Sequence, residues 1–283
     1  MMYKFLLALG LIVSTAFWGT RHPEPPSHWN TTGANSSRFL HREYEQATGF
    51  QYYPRNQGPA PNCVGQAISA AVDISEGSSG GVLPARIDAA FIYGVSRIDN
   101  GFTIRDGSQC GWAAASALSV GVVPMLDYQF LGLDLTTESV RRSSDYGSTG
   151  PPAELRFVAA NYQIEDYYQV RNWEQLRGAL KSGYPIIIGS NVGFGPNYGN
   201  KRDSNGFLYS ARWRGWSHAM VIIAYDDRIG ETSGALVLNS WGPGWVSGPT
   251  KLGDEPLGSF WITPRDVNRI LARGDSFAIG KLK

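Results

Sequence analysis

The stretch Gln57-Gly-Pro-Ala-Pro-Asn-Cys63-Val-Gly-Gln-Ala-Ile-Ser-Ala-Ala-Val-Asp-Ile74 joins a proline-stiffened loop to an apolar run of small residues. Residues 64–74 predict a buried helix, and Asn62 is of a type that often caps a helix N-terminus. Cys63 would then lie at the helix start, where unpaired N–H groups and the helix dipole stabilise a thiolate. For an isolated cysteine, a buried structural role at an N-terminal turn would usually be the better interpretation.

Two later segments supply the partners that a reactive thiol needs. His218 opens the apolar, β-rich run 219–225, and Asn239 follows a second strand pattern at 235–238. An antiparallel return would bring Asn239 within reach of the His218 imidazole. Considered alone, a histidine at the start of a strand is more often a structural group than a base. An asparagine at the end of a strand is normally a turn former. Together with Cys63 they predict a nucleophile, a base and an amide that orients the base.

Gln57 precedes Cys63 by six residues and supplies a side-chain amide on the approach to the helix. The backbone N–H of Cys63 would lie beside a reacting carbonyl. We therefore predict that Gln57 and this N–H form a two-donor oxyanion hole.

At these positions the chain resembles the papain-like cysteine peptidases. Their signature is Gln-Gly, four more residues, the catalytic Cys, a later His-Ala-(Val/Met) and then Asn-Ser-Trp-Gly. The corresponding residues here are Gln57-Gly58, Cys63, His218-Ala219-Met220 and Asn239-Ser240-Trp241-Gly242.

The resemblance covers roughly residues 50 to 283 and implies an α+β, papain-like two-lobed fold. Its N-terminal lobe would be helical around the Cys63 helix, and its C-terminal lobe β-barrel-like. The implied reaction is peptide-bond hydrolysis through a Cys63 thiolate–His218 imidazolium pair and an acyl-enzyme. Trp241 would shield the His218–Asn239 hydrogen bond from solvent.

The chain departs from the family at several positions. Val64 replaces the tryptophan that usually follows the nucleophile, and Ala60 replaces a cysteine, so that family disulfide cannot form. Aligned on the helix that ends near Gly121, Gly107 and Ser108 take the place of the Gly-Gly substrate-binding edge. Ser108 keeps the backbone N–H and C=O that pair with an extended peptide.

Two other functions remain open. One is another thiol acyl-transfer enzyme, such as a transglutaminase-like protein or a cell-wall amidase, although these do not usually carry Asn-Ser-Trp-Gly. The other is a non-catalytic papain-like module that binds peptides or has a structural role, although such modules usually lack a catalytic residue. Peptide or protein substrates and a monomer are expected in the enzymatic case.

The composition is that of a globular enzyme with a sizeable core. The hydrophobic fraction is 42% and the formal net charge is +1, so nothing favours nucleic acid as a partner. The pattern predicts no cofactor and no metal site. Helices are predicted between residues 60 and 130, an exposed connection at 131–155 and mainly strands after 167.

The N-terminus has the pattern of an export signal. Lys4 precedes the apolar run 5–13, and Ser14-Thr-Ala16 offers a cleavage point, so residues 1–16 predict a signal peptide. The alternative is an uncleaved anchor, and no other membrane partner is expected. Secretion or a periplasmic location follows. Residues 17–45 predict a flexible leader or short propeptide, and residues 46–283 the peptidase domain, without a disulfide.

Overall fold

A computed structural model describes residues 22–30, 36–194, 200–211, 217–228 and 233–283. The α-helices are α1 (Leu40–Thr48), α2 (Cys63–Ser78), α3 (Ala89–Ile98), α4 (Cys110–Ser119), α5 (Val140–Thr149), α6 (Leu155–Ala159), α7 (Trp173–Lys181) and α8 (Pro264–Leu271). The strands are β1 (Ser37–Phe39), β2 (Asp127–Tyr128), β3 (Leu133–Asp134), β4 (Tyr167–Gln169), β5 (Ile186–Ser190), β6 (Gly193–Phe194), β7 (Ser210–Ala211), β8 (His218–Asp226), β9 (Gly234–Leu238), β10 (Ser259–Ile262) and β11 (Ser276–Ile279). Short 3-10 helices cover Ser27–Asn30 and Gln129–Leu131. The predicted division into a helical half and a strand-rich half is confirmed.

Helix α2 is buried along most of its length because its small and apolar residues face both α3 and the sheet. Gly65 allows the close approach to α3, since a Cβ there would lie 2.3 Å from the Ala89 carbonyl oxygen. Asn62 precedes the helix as predicted, but its side chain makes no capping bond. It donates instead to the Ser143 hydroxyl at 2.7 Å.

One antiparallel sheet forms the other half of the fold, with strand order β10-β9-β8-β5-β11-β4 and β1 added beside β8. β5 pairs with the first part of β8 and β1 with its last part. β8 is buried at every residue, as its apolar sequence predicts. The expected barrel-like lobe is an open sheet in the part of the chain that the structure describes, because β10 and β4 lie at opposite ends of the strand order.

Helices α7 and α8 have side-chain caps at their N-termini. The Asn172 side chain accepts the Gln175 N–H at 2.9 Å and caps α7. Thr263 caps α8 by accepting the Asp266 N–H at 3.2 Å, and Pro264 occupies the first helical position.

Most of residues 131–155 are exposed or half-buried, as predicted, but the segment is not a simple connection. It contains α5, capped by the Ser139 hydroxyl, which packs against α3. Its buried positions include Ser143 and Gly147, which are small or polar and give no apolar stripe. A Cβ at Gly147 would lie 2.5 Å from the Tyr93 ring, so a larger side chain could not pack there.

The described part of the predicted flexible leader is folded against the domain. Trp29 is 1% exposed and its indole N–H donates to the Ser182 hydroxyl at 3.0 Å. β1 extends the sheet, and α1 crosses the predicted domain start at residue 46. Whether the leader is removed stays a prediction, and residues 1–16 lie outside the described residues. Among the described helices, none combines the length and apolar character needed to cross a bilayer.

Candidate active site

Cys63 is the first residue of α2, and its side chain is half-buried. The backbone N–H groups of Ala219, Val64 and Cys63 itself are near enough to the thiol to act toward a lower pKa. Ala219 directly follows His218 at the start of β8. The sulfur therefore lies where the helix start meets the strand start, and the fold brings Cys63 and His218 to the same place.

Asn239 follows β9 and lies beside His218. β8 and β9 pair in antiparallel register, with a bulge between Ile222 and Ala224. His218 Nε2 lies 2.7 Å from Asn239 Oδ1. Since an amide oxygen can only accept, Nε2 carries a proton and Nδ1 is the basic nitrogen of the neutral ring.

Aromatic rings cover this pair. Trp241 stacks on the His218 imidazole with ring centroids 4.6 Å apart and an interplanar angle of 27°. Trp245 packs edge-on against Trp241 at 5.2 Å. His218 is 8% exposed and Asn239 2%, so their hydrogen bond is largely withdrawn from water.

Gln57 is bound to the segment that follows Asn239. Its backbone N–H donates to the Ser240 carbonyl at 2.8 Å, and the Ser240 hydroxyl donates to Gln57 Oε1 at 2.7 Å. Gln57 Nε2 donates to the Ala60 carbonyl at 2.8 Å. An amide nitrogen carries two hydrogens, so a second N–H is left for a ligand. Cys63, His218, Asn239 and Gln57, which we call the candidate quartet, thus lie in one connected region.

Burial shifts the pKa of both reactive groups toward their neutral forms. It raises the pKa of the Cys63 thiol, and the backbone N–H groups around the sulfur only partly oppose it. Burial lowers the pKa of His218 to about 4, although the hydrogen bond to Asn239 acts in the other direction. These directions run against the predicted ion pair. For that pair to form, attraction between thiolate and imidazolium must outweigh the burial of both charges.

The predicted substrate edge lies in a loop between α3 and α4. Gly107 has φ +90°, its N–H donates to the Tyr93 hydroxyl at 3.2 Å, and its carbonyl accepts from Arg97. The Ser108 hydroxyl is 2.8 Å from that of Ser96. Within the described residues, the backbone N–H and C=O of Ser108 make no hydrogen bond. They are therefore available for a peptide, whereas those of Gly107 are already bonded.

A cleft of about 250 Å³ borders Gln57 on the helical side. Its carboxylates are already paired, Asp88 with Arg142 at 2.8 Å and Glu138 with Arg55 at 2.9 Å. Among the residues with described positions, no three His, Cys, Asp or Glu side chains are grouped to hold a metal.

Sequence reasoning missed two residues close to the quartet. Ser240 belongs to the Asn-Ser-Trp-Gly motif, but its bond to Gln57 depends on tertiary pairing. Arg55, two residues before Gln57, is buried. A charged residue followed by turn formers reads as exposed, and only the structure shows what it binds.

The fold is similar to that of solved cysteine proteases. Xylellain, a cysteine protease from Xylella fastidiosa, matches with a TM-score of 0.64 at 19% identity, over 97% of this chain and 96% of that one. Procathepsin B S9 from Trypanosoma congolense gives a TM-score of 0.59 at 13% identity, over 96% of this chain and 87% of that one. Procathepsin L 3 from the larval midgut of Tenebrio molitor gives 0.58 at 12% identity, over 92% and 73%. No protein-family model and no curated protein sequence matches. The expected papain-like fold is confirmed.

Proposed function

We propose that this chain, whose fold is that of the papain-like cysteine proteases, is a cysteine peptidase that hydrolyses peptide bonds. The observation that carries the proposal is the 2.7 Å hydrogen bond between His218 and Asn239, at the start of the strand whose next residue, Ala219, lowers the pKa of the Cys63 thiol through its N–H. Nucleophile, base and orienting amide need this arrangement to act together.

Cys63 attacks the scissile carbonyl carbon after its proton moves to His218. Gln57 Nε2 and the Cys63 N–H stabilise the oxyanion that forms. His218 then gives its proton to the leaving amine as the C–N bond breaks, which leaves an acyl-thioester on Cys63. Asn239 holds the ring in one orientation, and Trp241 keeps water from that bond.

Water completes the cycle. His218 takes a proton from the water that attacks the thioester carbonyl, and the same oxyanion hole binds the second tetrahedral intermediate. Collapse breaks the C–S bond, and the proton on His218 returns to the departing sulfur. The products are a carboxylic acid, an amine and the free enzyme.

Peptide or protein substrates, a monomeric state and a secreted or periplasmic location belong to the same proposal. The Ser108 backbone supports an extended peptide as substrate, since strand-like pairing needs a free N–H and C=O. A net charge of +1 favours no nucleic acid. The signal segment supports export, and Gly107 supports substrate binding only by fixing the loop.

The decisive test compares the natural chain with Cys63→Ala and with Cys110→Ala as the matched control. Hydrolysis of casein and of a dipeptidyl dye substrate should vanish in Cys63→Ala and persist in Cys110→Ala. An epoxide-type thiol inhibitor should add its mass to Cys63. Hydrolysis by Cys63→Ala, or an adduct on Cys110 alone, would refute the proposal. Cleavage of peptidoglycan without casein would favour the amidase alternative.

A further inference from the structure

The segment 55–57, which contains Gln57, is paired with the segment after Asn239. The Gln57 N–H donates to Ser240, and the Gly242 N–H donates to the Arg55 carbonyl at 2.9 Å. Residues 56 and 241 form an antiparallel bridge between these two bonds. The main chain of residues 55–57 is thereby fixed to the sheet side of the site. Cys63, however, is on α2, which belongs to the helical half.

The Arg55 side chain joins the two halves. It is 1% exposed and its Nη2 donates to Asp73 Oδ2 at 2.7 Å. Asp73 is on α2, the helix that begins with Cys63. The same Nη2 donates to the Ile87 carbonyl at 2.8 Å, and Asp73 Oδ1 accepts the Ile87 N–H at 2.9 Å. The segment 55–57 is thus bound to α2 through one guanidinium group.

Glu138 provides a second connection to the same helix. Arg55 Nη1 donates to Glu138 Oε1 at 2.9 Å, and Gln66 Nε2 donates to Glu138 Oε2 at 3.3 Å. Gln66 lies on α2 one turn after Cys63. A planar guanidinium can hold partners in several fixed directions at once, whereas a lysine ammonium is a flexible point charge.

We propose that Arg55 is a positioning residue for the oxyanion hole, which rests on the proposed peptidase function. The two donors, Gln57 Nε2 and the Cys63 N–H, lie on different segments and must reach one oxygen at hydrogen-bond distance. The Arg55–Asp73 bridge sets the separation of those segments. A buried ion pair is weak evidence for stability in itself, so the proposal rests on the positions of its partners.

A double-mutant cycle tests whether Arg55 acts through Gln57. Arg55→Lys should lower kcat by about tenfold while KM stays constant, since small misplacements at a reacting centre are costly. In the Gln57→Ala background the same substitution should change kcat by less than about twofold, because the misplaced donor is already gone. An equal loss in both backgrounds would overturn the proposal.

Alkylation of Cys63 by iodoacetamide forms no oxyanion, so its rate reports on the thiol independently of the oxyanion hole. Its rate should be unchanged in Arg55→Lys, and a fall parallel to kcat would show general disruption and overturn the proposal. Arg177→Lys is the matched control, since Arg177 is also buried and pairs with Asp227 at 2.9 Å, past the far end of β8 from His218. It should leave kcat unchanged.

Glu138→Gln covers the case in which Arg55→Lys does not fold. It keeps the side-chain shape and weakens one anchor of the guanidinium, so kcat should fall by about threefold with Gln57 present and not in Gln57→Ala. Additive losses overturn the proposal here too. The natural chain is assayed first. If it hydrolyses nothing, both the proposed function and this inference fail, whereas an active enzyme with an additive cycle refutes only the inference.

Discussion

The candidate quartet and the loop between α3 and α4 are held in place in different ways. The quartet sits at the ends of α2, β8 and β9 and on a paired segment, with side chains bonded to one another. The loop is positioned by α3 side chains, and Ser108 leaves its backbone groups unbonded. The proposed catalytic groups lie at the ends of regular elements and belong to short sequence motifs. The proposed substrate edge lies in irregular chain whose position depends on distant residues.

The largest expected effect is that of His218→Ala. If the quartet acts as a unit, kcat/KM should fall by about 10⁴–10⁶-fold, as for other bases of this kind. His41→Gln is the matched control, because His41 is also buried, at 2% exposure, and does not belong to the quartet or line the cleft beside Gln57. It should keep full activity. Similar rates for His218→Ala and the natural chain would remove the quartet from the chemistry.

Gln57→Ala comes next. The loss of one oxyanion donor should lower kcat by about 10²–10³-fold, with little change in KM. Gln57→Glu keeps the size of the side chain but carries no amide donor, so it should be no better than alanine. Steady-state kinetics on one peptide substrate decide the matter, and an unchanged kcat would take Gln57 out of the oxyanion hole.

Alkylation of Cys63 at pH 6 decides whether the ion pair forms. A free thiol of pKa about 8.5 is only about 0.3% thiolate at that pH. With a His218 partner the thiolate share is far higher, so His218→Ala should react at least about tenfold more slowly with iodoacetamide. Equal rates in the two proteins would mean that burial keeps both groups neutral, as their separate pKa directions indicate.

Ser108→Pro probes the loop side of the comparison. It removes one backbone donor, so KM for an extended peptide should rise by up to about tenfold while kcat changes little. Ser108→Ala keeps the N–H and should behave like the natural chain. Thermal unfolding confirms that each variant is folded. A fall in kcat without a change in KM would place the loop with the chemistry instead.

His41 should affect pH stability and not the rate. Burial lowers its pKa to about 4 from 6.5, against the opposing pull of Asp254. As the pH falls below 6.5, His41 becomes protonated in the unfolded chain but stays neutral in the folded chain. The free energy of unfolding therefore decreases between pH 6.5 and 4. At pH 5 the loss is about 2 kcal/mol. Urea unfolding of His41→Leu at pH 7.5 and 5 should lack this decrease. An undiminished decrease would contradict the assignment to His41.

The fold was largely predictable because its strands and central helix have strong local patterns. β8 reads as a buried strand and α2 as a buried helix, and both appear within a few residues of the predicted bounds. α5 was missed because its buried face carries Ser143 and Gly147, which give no apolar period. The barrel-like lobe was expected only from the family resemblance. Whether strands close into a barrel cannot be read from the sequence of any single strand.

The site was predictable only where a motif carries it. The catalytic roles of the quartet stay predictions, although the four residues lie in one region of the structure. The bond from Ser240 to Gln57 and the bridge from Arg55 to Asp73 join residues that are far apart in sequence. Asn62 shows the converse, since its expected capping role is lost to Ser143 on another helix. Such partners follow from tertiary packing and cannot be found by local propensity.

The reactivity of the second thiol of the chain, that of Cys110, can report how often the fold opens locally. Cys110 is 0% exposed at the start of α4, and the Asp275 carboxylate accepts its backbone N–H at 3.1 Å. Burial and that carboxylate raise the pKa of the Cys110 thiol. A reagent can therefore capture Cys110 only during moments when α4 parts from the segment leading into β11, and the capture rate measures how often that happens.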